Sequence, residues 1–205
     1  MPLTRAVLFD LDGTLLDTLE DIARSANLVL ARAGCSPHPR EAYRQFVGDG
    51  VARLFQRALP SEAAENPGLI ADCVEGFREV YGAGWNVATK PYPGIIDLLD
   101  ALVDRSIRLA VLSNKPDEFT RRCVEHFFSP WPFESVRGEC PGVPRKPDPA
   151  GAVLIADHLG LRSTEMAFLG DSSVDMRTAA AAGMIPLGAG WGFRLAEELE
   201  THGAV

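Results

Sequence analysis

The sequence lacks the features of membrane proteins, nucleic-acid-binding proteins and secreted proteins. Among its 205 residues, no apolar run approaches the roughly 20 residues of a membrane span. The net charge of −8 argues against nucleic acid or an anionic membrane surface as a partner. The first strand pattern begins at Ala6, which leaves no room for a signal peptide. We therefore expect a cytoplasmic protein that binds neither nucleic acid nor membrane.

Cysteine is scarce and scattered. The four cysteines are Cys35, Cys73, Cys123 and Cys140, and no two of them form a CxxC pair. They are typical of reduced thiols rather than of a disulfide framework. No histidine lies at a metal-ligand spacing from them, which argues against a zinc site. Because the overall charge is negative, an anionic substrate must be bound by local cations and backbone N–H groups.

One short stretch near the start of the chain places two acids behind a buried strand. Residues 6–9 (AVLF) form the apolar run, and Asp10 and Asp12 follow it. Because side chains along a strand repeat every second residue, both carboxylates lie on one side. Gly13 permits a turn and Thr14 adds a hydroxyl. Two carboxylates that lose hydration repel each other unless a cation or proton compensates, so we interpret this stretch as a chemical centre. The alternative is a strand end whose acids face water.

The chain changes its pattern near residue 90. Residues 17–88 show helical periodicity and no strand alternation. The predicted helices are 17–34, 40–47, 51–59 and 69–81, and a polar loop is predicted at 60–68. After the rigid connector 90–94, apolar strand patterns alternate with helical ones. The predicted strands are 108–112, 135–137, 166–169 and 185–187.

Strands that alternate with helices predict a parallel sheet covered on both faces. We therefore predict an α/β protein with a Rossmann-like parallel-sheet core, formed by residues 1–16 and 89–205. The helical block interrupts the alternation directly after the first strand. We interpret residues 17–88 as an all-helical cap domain inserted into that core.

Polar residues follow several of the predicted strands. Ser113 and Asn114 follow strand 108–112, Asp171 and Asp175 follow strand 166–169, and Lys146 precedes a helix. The carboxyl ends of parallel strands lie along one edge, where ligands bind, so these residues should meet the acid pair of the first strand. Four acids with one lysine suit a cation site. All-oxygen ligation favours Mg²⁺ over zinc or copper.

In these motifs the chain resembles the haloacid dehalogenase superfamily of phosphotransferases. The motifs are DLDGT at 10–14, SN at 113–114, KP at 146–147 and GDSSVD at 170–175, in the order typical of that superfamily. The helical insertion looks like its cap domain. The stretches that most resemble phosphoglycolate phosphatases are VGDGVARLFQRAL at 47–59, YPGIIDLLDAL at 92–102, SNKP at 113–116 and WGFR at 191–194.

The resemblance implies catalytic and metal-binding roles. Asp10 would attack phosphorus to form an aspartyl phosphate, and Asp12 would protonate the leaving alkoxide and then activate water. Mg²⁺ would be held by Asp10, the backbone carbonyl of Asp12 and Asp171. Asp175 is counted in the same metal site, where it would orient water or Lys146. Asp175 could also pair with that lysine for structural reasons alone.

The resemblance also implies substrate contacts. In the core, the phosphoryl oxygens would be held by Thr14, Ser113, Asn114 and Lys146. In the cap, the turn Gly48, Asp49 and Gly50 begins a helix, so its N–H groups could meet a carboxylate or hydroxyl of the substrate. Arg53 is a candidate cationic partner, whereas Arg57 is interpreted as part of a solvated helix face. Asp49 stands where related sequences often carry Asn, and its charge would oppose an anionic substrate.

The predicted function is a Mg²⁺-dependent phosphatase for a small phosphorylated metabolite, with phosphoglycolate as the leading candidate. A monomer or a homodimer is expected. One alternative is a phosphosugar mutase of the same fold, although Val51 stands near the place where such relatives carry an arginine. The other is a non-enzymatic binding protein, which the loss of a catalytic Asp would favour. No such loss is seen in this sequence.

Overall fold

The chain divides into two compact units. The core unit comprises residues 1–17 and 91–205, and the helical unit comprises residues 18–90. The computed structural model describes residues 3–205, so the first two residues of the predicted core lie outside the described part. Over the described residues, no helix is both long enough and apolar enough to cross a bilayer.

The core unit is built on a parallel sheet. The strands of the chain are β1 (Ala6–Phe9), β2 (Leu16–Asp17), β3 (Lys90–Pro91), β4 (Arg108–Pro116), β5 (Phe133–Glu139), β6 (Met166–Gly170) and β7 (Ile185–Gly188). Within residues 3–205, five strands form the main sheet in the order β5-β4-β1-β6-β7. Phe9 at the end of β1 is paired with Val111 of β4 and with Leu169 of β6. The carboxyl ends of the three central strands therefore meet at one edge, on both sides of β1.

Helices cover both faces of this sheet. They are α6 (Ile95–Asp104), α7 (Asp117–Phe128), α8 (Ala150–His158), α9 (Ser173–Ala182) and α10 (Ala196–Thr201). Leu8 belongs to an apolar cluster that includes Ile155 of α8 and Ala179 of α9. Its neighbour Phe9 points to the opposite face, where it contacts Phe133, which in turn contacts Phe128 of α7. This arrangement confirms the predicted α/β class with a Rossmann-like sheet.

Among its described residues, the helical unit consists of helices and their connections, apart from Lys90, the first residue of β3. The helices are α1 (Leu19–Arg32), α2 (Tyr43–Phe46), α3 (Val51–Ala58), α4 (Ser61–Ala64) and α5 (Pro67–Gly84), and a 3-10 turn over Arg40–Ala42 precedes α2. Aromatic rings pack α3 onto α5, with Phe55 against Phe77 and Phe77 stacked on Tyr81. This packing buries all three rings.

One local prediction was wrong, and one predicted strand is longer than expected. The predicted loop 60–68 contains α4 and the start of α5, because Asn66 Oδ1 accepts the N–H groups of Gly68 and Leu69 and Pro67 fits the first helical position. The predicted strand 108–112 continues to Pro116, which pairs with Glu139 of β5 after a register shift. Residues 113–115 therefore belong to the strand itself, and α7 starts only at Asp117.

Candidate active site

Asp10 lies at the carboxyl end of the central strand β1. Its N–H donates to the Leu169 carbonyl at 2.9 Å, which continues the pairing of β1 with β6 past Phe9. The residue is only 8% exposed. Its Oδ1 forms an ion pair with Lys146 Nζ at 2.9 Å. Burial raises the pKa of Asp10 to about 6, and the Asp175 charge adds to the rise, against the attraction of Lys146.

Lys146 supplies the positive charge of the site. Its side chain is almost fully buried, and its Nζ lies 2.6 Å from Asp175 Oδ1 as well as next to Asp10. Burial alone would lower the pKa of this ammonium group, but attraction to the two carboxylates outweighs burial and raises it. Lys146 therefore stays protonated.

Asn114 holds the backbone that carries Lys146. Its Oδ1 accepts the Lys146 N–H at 2.9 Å, and its Nδ2 donates to the Lys146 carbonyl at 3.0 Å. The side-chain amide thus joins β4 to the loop before α8. The phosphate contact that the sequence suggested for Asn114 stays a prediction.

Asp171 and Asp175 come from the end of β6 and the first turn of α9, and both are buried. Asp171 Oδ2 accepts the Phe193 N–H at 2.7 Å. Asp175 Oδ2 accepts the N–H and the hydroxyl of Ser172, so the same carboxylate caps α9 and binds Lys146. Burial raises the pKa of Asp171 well above its usual value, and the charges of Asp175 and Asp10 raise it further.

This arrangement fits a divalent metal ion. One carboxylate oxygen each of Asp10, Asp171 and Asp175 lies within 4.8 Å of the others. Three buried carboxylates face a single lysine, so the cluster holds more acidic groups than cations. An oxygen-only donor set suits Mg²⁺ or Ca²⁺. The fold therefore brings together the acids that the sequence placed on different strands.

Asp12 is the exception among the predicted acids. Both of its carboxylate oxygens bind Lys115 Nζ, at 2.8 and 3.0 Å, so its side chain is outside the acidic cluster. The predicted metal contact of Asp12 through its backbone carbonyl stays a prediction. Sequence reasoning missed the role of Lys115. The available signal was its place at the end of a predicted strand, on the ligand-binding edge.

Two glycines let Asp171 approach the loop after β1, a role that the sequence analysis did not assign to either of them. A Cβ on Gly13 would lie 2.2 Å from Asp171 Oδ2, and Gly13 has a φ of +86° that L side chains rarely adopt. A Cβ on Gly192 would lie 2.3 Å from Asp171 Cβ and 2.4 Å from the Gly13 carbonyl oxygen. From the sequence, residues 191–194 were identified only as a stretch that resembles phosphoglycolate phosphatases. It supports a candidate metal ligand.

The close approach at Gly192 predicts a specific mutational effect. Gly192→Ala should displace Asp171 and reduce both thermal stability and metal affinity. The new Cβ would overlap the Gly13 backbone and the buried Asp171 side chain, and moving either of them costs free energy. Gly190→Ala in the same loop is the matched control, since a Cβ there meets nothing within 4 Å. Metal affinity is read from the rise in melting temperature with added Mg²⁺. Equal behaviour of the two alanine variants would contradict the prediction.

The predicted phosphate-binding hydroxyls are also at this edge. Thr14 is fully buried and its Oγ1 has no hydrogen-bond partner among the described residues. Its carbonyl accepts the Trp191 Nε1–H at 3.0 Å. Ser113 Oγ accepts the Lys115 N–H at 3.3 Å. The substrate contacts of Thr14 and Ser113 stay predictions.

The predicted substrate residues of the cap belong to the helical unit. Gly48 and Gly50 have positive φ angles of 122° and 87° and lead into α3. Arg53 donates to Gln56 Oε1 at 2.8 Å. Arg57 forms an ion pair with Asp49 and also donates to the carbonyls of residues 45 and 46. Arg57 is exposed, in agreement with its interpretation as part of a solvated helix face, and it also holds the turn and balances the charge of Asp49.

Comparison with known proteins finds relatives over nearly the whole chain. The family described as haloacid dehalogenase-like hydrolase matches residues 7–189. A protein named phosphoglycolate phosphatase from Pseudomonas fluorescens (strain Pf0-1) is 32% identical over 206 residues, covering 97% of this chain and 75% of that protein. Another protein of that name, from Rhodospirillum rubrum, is 35% identical over 188 residues, covering 88% of this chain and 77% of that protein.

Solved structures with a similar fold cover nearly the whole chain as well. A crystal structure from Lactobacillus delbrueckii subsp. bulgaricus is similar with a TM-score of 0.93 at 32% identity, covering 99% of this chain and 93% of that one. The structure described as a predicted phosphoglycolate phosphatase from Haemophilus somnus 129PT has a TM-score of 0.90 at 26% identity, covering 98% and 92%. Sequence and fold therefore point to the same relatives.

Proposed function

The chain belongs to the haloacid dehalogenase-like hydrolase family, and we propose that it is a Mg²⁺-dependent phosphatase that uses Asp10 as its nucleophile. The observation that carries this proposal is the placement of Asp10. A buried carboxylate is ion-paired through Oδ1 with a protonated lysine and lies beside two further acids. Such a group is held in place and lacks a hydration shell, so one oxygen is available to attack an electrophile.

The first step transfers the phosphoryl group to Asp10. A carboxylate oxygen of Asp10 forms a bond to phosphorus while the bond from phosphorus to the ester oxygen breaks. The leaving oxygen takes a proton from Asp12. Lys146 carries its charge where the phosphoryl oxygens would approach Asp10, so it offsets their negative charge during the transfer.

The second step releases phosphate. Asp12, now a carboxylate, accepts a proton from a water molecule whose oxygen bonds to phosphorus, and the bond between phosphorus and Asp10 breaks. The net reaction consumes one ester and one water and yields one alcohol and one phosphate. Asp10, Asp171 and the Asp12 carbonyl would hold Mg²⁺, which supplies electrostatic compensation for the phosphoryl charge.

We propose 2-phosphoglycolate as the leading substrate, because relatives at 32 to 35% identity bear the corresponding name. The negative charge of Asp49 is a weaker objection than the sequence suggested, since Arg57 is paired with it. We also propose that the helical unit acts as a cap that opens and closes, so that phosphoryl transfer proceeds shielded from bulk water.

A substrate panel tests this function. The purified chain is assayed for phosphate release from 2-phosphoglycolate, sugar phosphates, a sugar bisphosphate and p-nitrophenyl phosphate, with Mg²⁺ and with EDTA. We expect metal-dependent release and the highest kcat/KM for 2-phosphoglycolate. Hydroxylamine trapping of an acyl phosphate on residue 10 tests the intermediate. An absence of metal-dependent hydrolysis for the whole panel would overturn the proposal, and a sugar-bisphosphate requirement would favour a mutase.

Stability without metal depends on pH in a direction that the pKa values fix. The pKa of Asp10 rises from 3.8 in the unfolded chain to about 6 in the folded chain. Between these two pH values, Asp10 is protonated in the folded chain and ionised in the unfolded chain. Stability from this group is present below pH 3.8 and is lost as the pH rises through about 6. The raised pKa of Asp171 acts in the same direction.

Asp171→Asn should therefore raise the melting temperature of the metal-free protein at pH 7 to 8, with the gain shrinking toward pH 4. Added Mg²⁺ should raise the melting temperature of the wild type but not of this variant. Melting curves in EDTA and in Mg²⁺ measure both effects, with Asp157→Asn on the exposed side of α8 as the control. A metal-free Asp171→Asn protein less stable than wild type at pH 8 would contradict this assignment.

A further inference from the structure

The site contains a second buried lysine that the reaction scheme above does not use. Lys115 Nζ donates to Asp12 Oδ1 at 2.8 Å and to Oδ2 at 3.0 Å. The side chains are 4% and 11% exposed, so both charges are almost entirely removed from water. Lys146 is engaged with Asp10 and Asp175 instead. Each of the two acids of the loop after β1 is thus held by a different lysine.

The backbone of Lys115 is fixed on several sides. Its N–H donates to Ser113 Oγ, and its carbonyl accepts the hydroxyl of Thr120 in α7. Strand β5 passes so close that a Cβ on Gly138 would lie 2.6 Å from the Lys115 carbonyl oxygen and 2.5 Å from Thr120 Oγ1. The lysine therefore extends from a rigid base, and its position determines where the Asp12 carboxylate lies.

We propose that Lys115 is a positioning residue for Asp12, and that it acts on protonation of the leaving group rather than on the nucleophile. This inference rests on the proposed phosphatase function. The two contacts fix the orientation of the Asp12 carboxylate outside the acidic cluster. When Asp12 gives its proton to the leaving oxygen, it becomes a carboxylate, and the adjacent ammonium group stabilises that product.

A purely structural role explains this pair less well. A buried ion pair loses hydration on both sides and gives little net stability compared with apolar residues of similar size. The nearby Cys123 adds no charge, because burial raises the pKa of its thiol to about 12. The lysine is thus placed on the carboxylate that gains and loses a proton during the proposed reaction.

The dependence of kcat/KM on the leaving group distinguishes a positioning role of Lys115 from a purely structural one. An alkyl ester such as 2-phosphoglycolate has a poor leaving group that needs a proton, whereas p-nitrophenyl phosphate has a good one that does not. Lys115→Met should lower kcat/KM for the alkyl ester by about 100-fold, the size of a general-acid effect, and for p-nitrophenyl phosphate by less than about 3-fold. Lys115→Arg, which keeps the cation, should recover most of the loss. Arg122→Met, in an exposed ion pair on α7, is the control.

A double-mutant cycle completes the test. In an Asp12→Asn background, Lys115→Met should cost nothing further for either ester, because its effect passes through Asp12. If Lys115→Met does not fold, Lys115→Gln and Lys115→Arg take its place. Equal losses for both esters, or no loss for either, would overturn the positioning role and leave the phosphatase assignment intact. A wild-type chain that hydrolyses no phosphate ester would overturn both.

Discussion

Asp10→Asn should abolish turnover while leaving the fold intact. The substitution keeps the shape of the side chain but removes the nucleophilic oxygen, so no acyl phosphate can form. We expect kcat to fall by about four orders of magnitude or more, as for other enzymes that lose their nucleophile. Hydroxylamine trapping should find no labelled residue in the variant.

The same change should not weaken the metal-free protein. Asp10 is one of three buried carboxylates, and its pKa is raised mainly by burial and further by the charge of Asp175, so its ionised form is costly in the metal-free protein. Lys146 keeps its ion pair with Asp175 when Asp10 is neutral. The melting temperature in EDTA should therefore equal or exceed that of the wild type. Asp97→Asn makes the same chemical change at an exposed position of α6 and should alter neither activity nor stability. Ordinary kcat in Asp10→Asn would remove residue 10 from the mechanism.

Lys146→Met should damage both activity and stability. The methionine fills a similar volume but leaves Asp10, Asp171 and Asp175 buried without a compensating cation. Removing one partner of a buried ion pair costs about 3 to 5 kcal/mol, which should appear as a lower free energy of unfolding in EDTA. Added Mg²⁺ should restore part of that stability, because the ion replaces some of the missing positive charge.

The activity of Lys146→Met should fall about 1,000-fold or more for alkyl and aryl esters alike, since this lysine acts on the phosphoryl oxygens rather than on the leaving group. That uniform loss distinguishes it from Lys115→Met. Arg145→Met is the adjacent control, because Arg145 is 41% exposed and is paired with Glu139. A rate for Lys146→Met within a few-fold of the wild type would place this lysine outside the catalytic machinery.

In the helical unit, the local sequence pattern predicted most of the helices but not the contacts between them. Its helices were predicted from apolar spacing, and the aromatic residues Phe55 and Phe77 are in its interior as that spacing requires. The loop predicted at 60–68 was wrong because its polar composition concealed a capping signal, Asn66 followed by Pro67. The pairing of Arg57 with Asp49 depends on how the chain turns between α2 and α3. Spacing along the sequence does not record that turn.

The sequence by itself determined the elements that carry chemistry in the core. An apolar run before Asp10 and Asp12, and strand patterns before Ser113 and Asp171, were sufficient to predict a parallel sheet with polar residues at one edge. The reason is that strand formation and the two-residue alternation of side chains are local properties of the chain. The grouping of Asp10, Asp171 and Asp175 then follows from parallel topology, since every strand ends at the same edge.

Only the tertiary structure decided which lysine forms an ion pair with which aspartate. Lys115 lies near the end of β4 and Lys146 in the loop before α8, and both reach the same edge, yet one binds Asp12 and the other binds Asp10 and Asp175. The closeness of Gly13 and Gly192 to Asp171 was likewise absent from any local pattern. Ion pairs and close approaches depend on distances of a few ångströms between residues far apart in the chain, and those distances are set by the packing of the whole core.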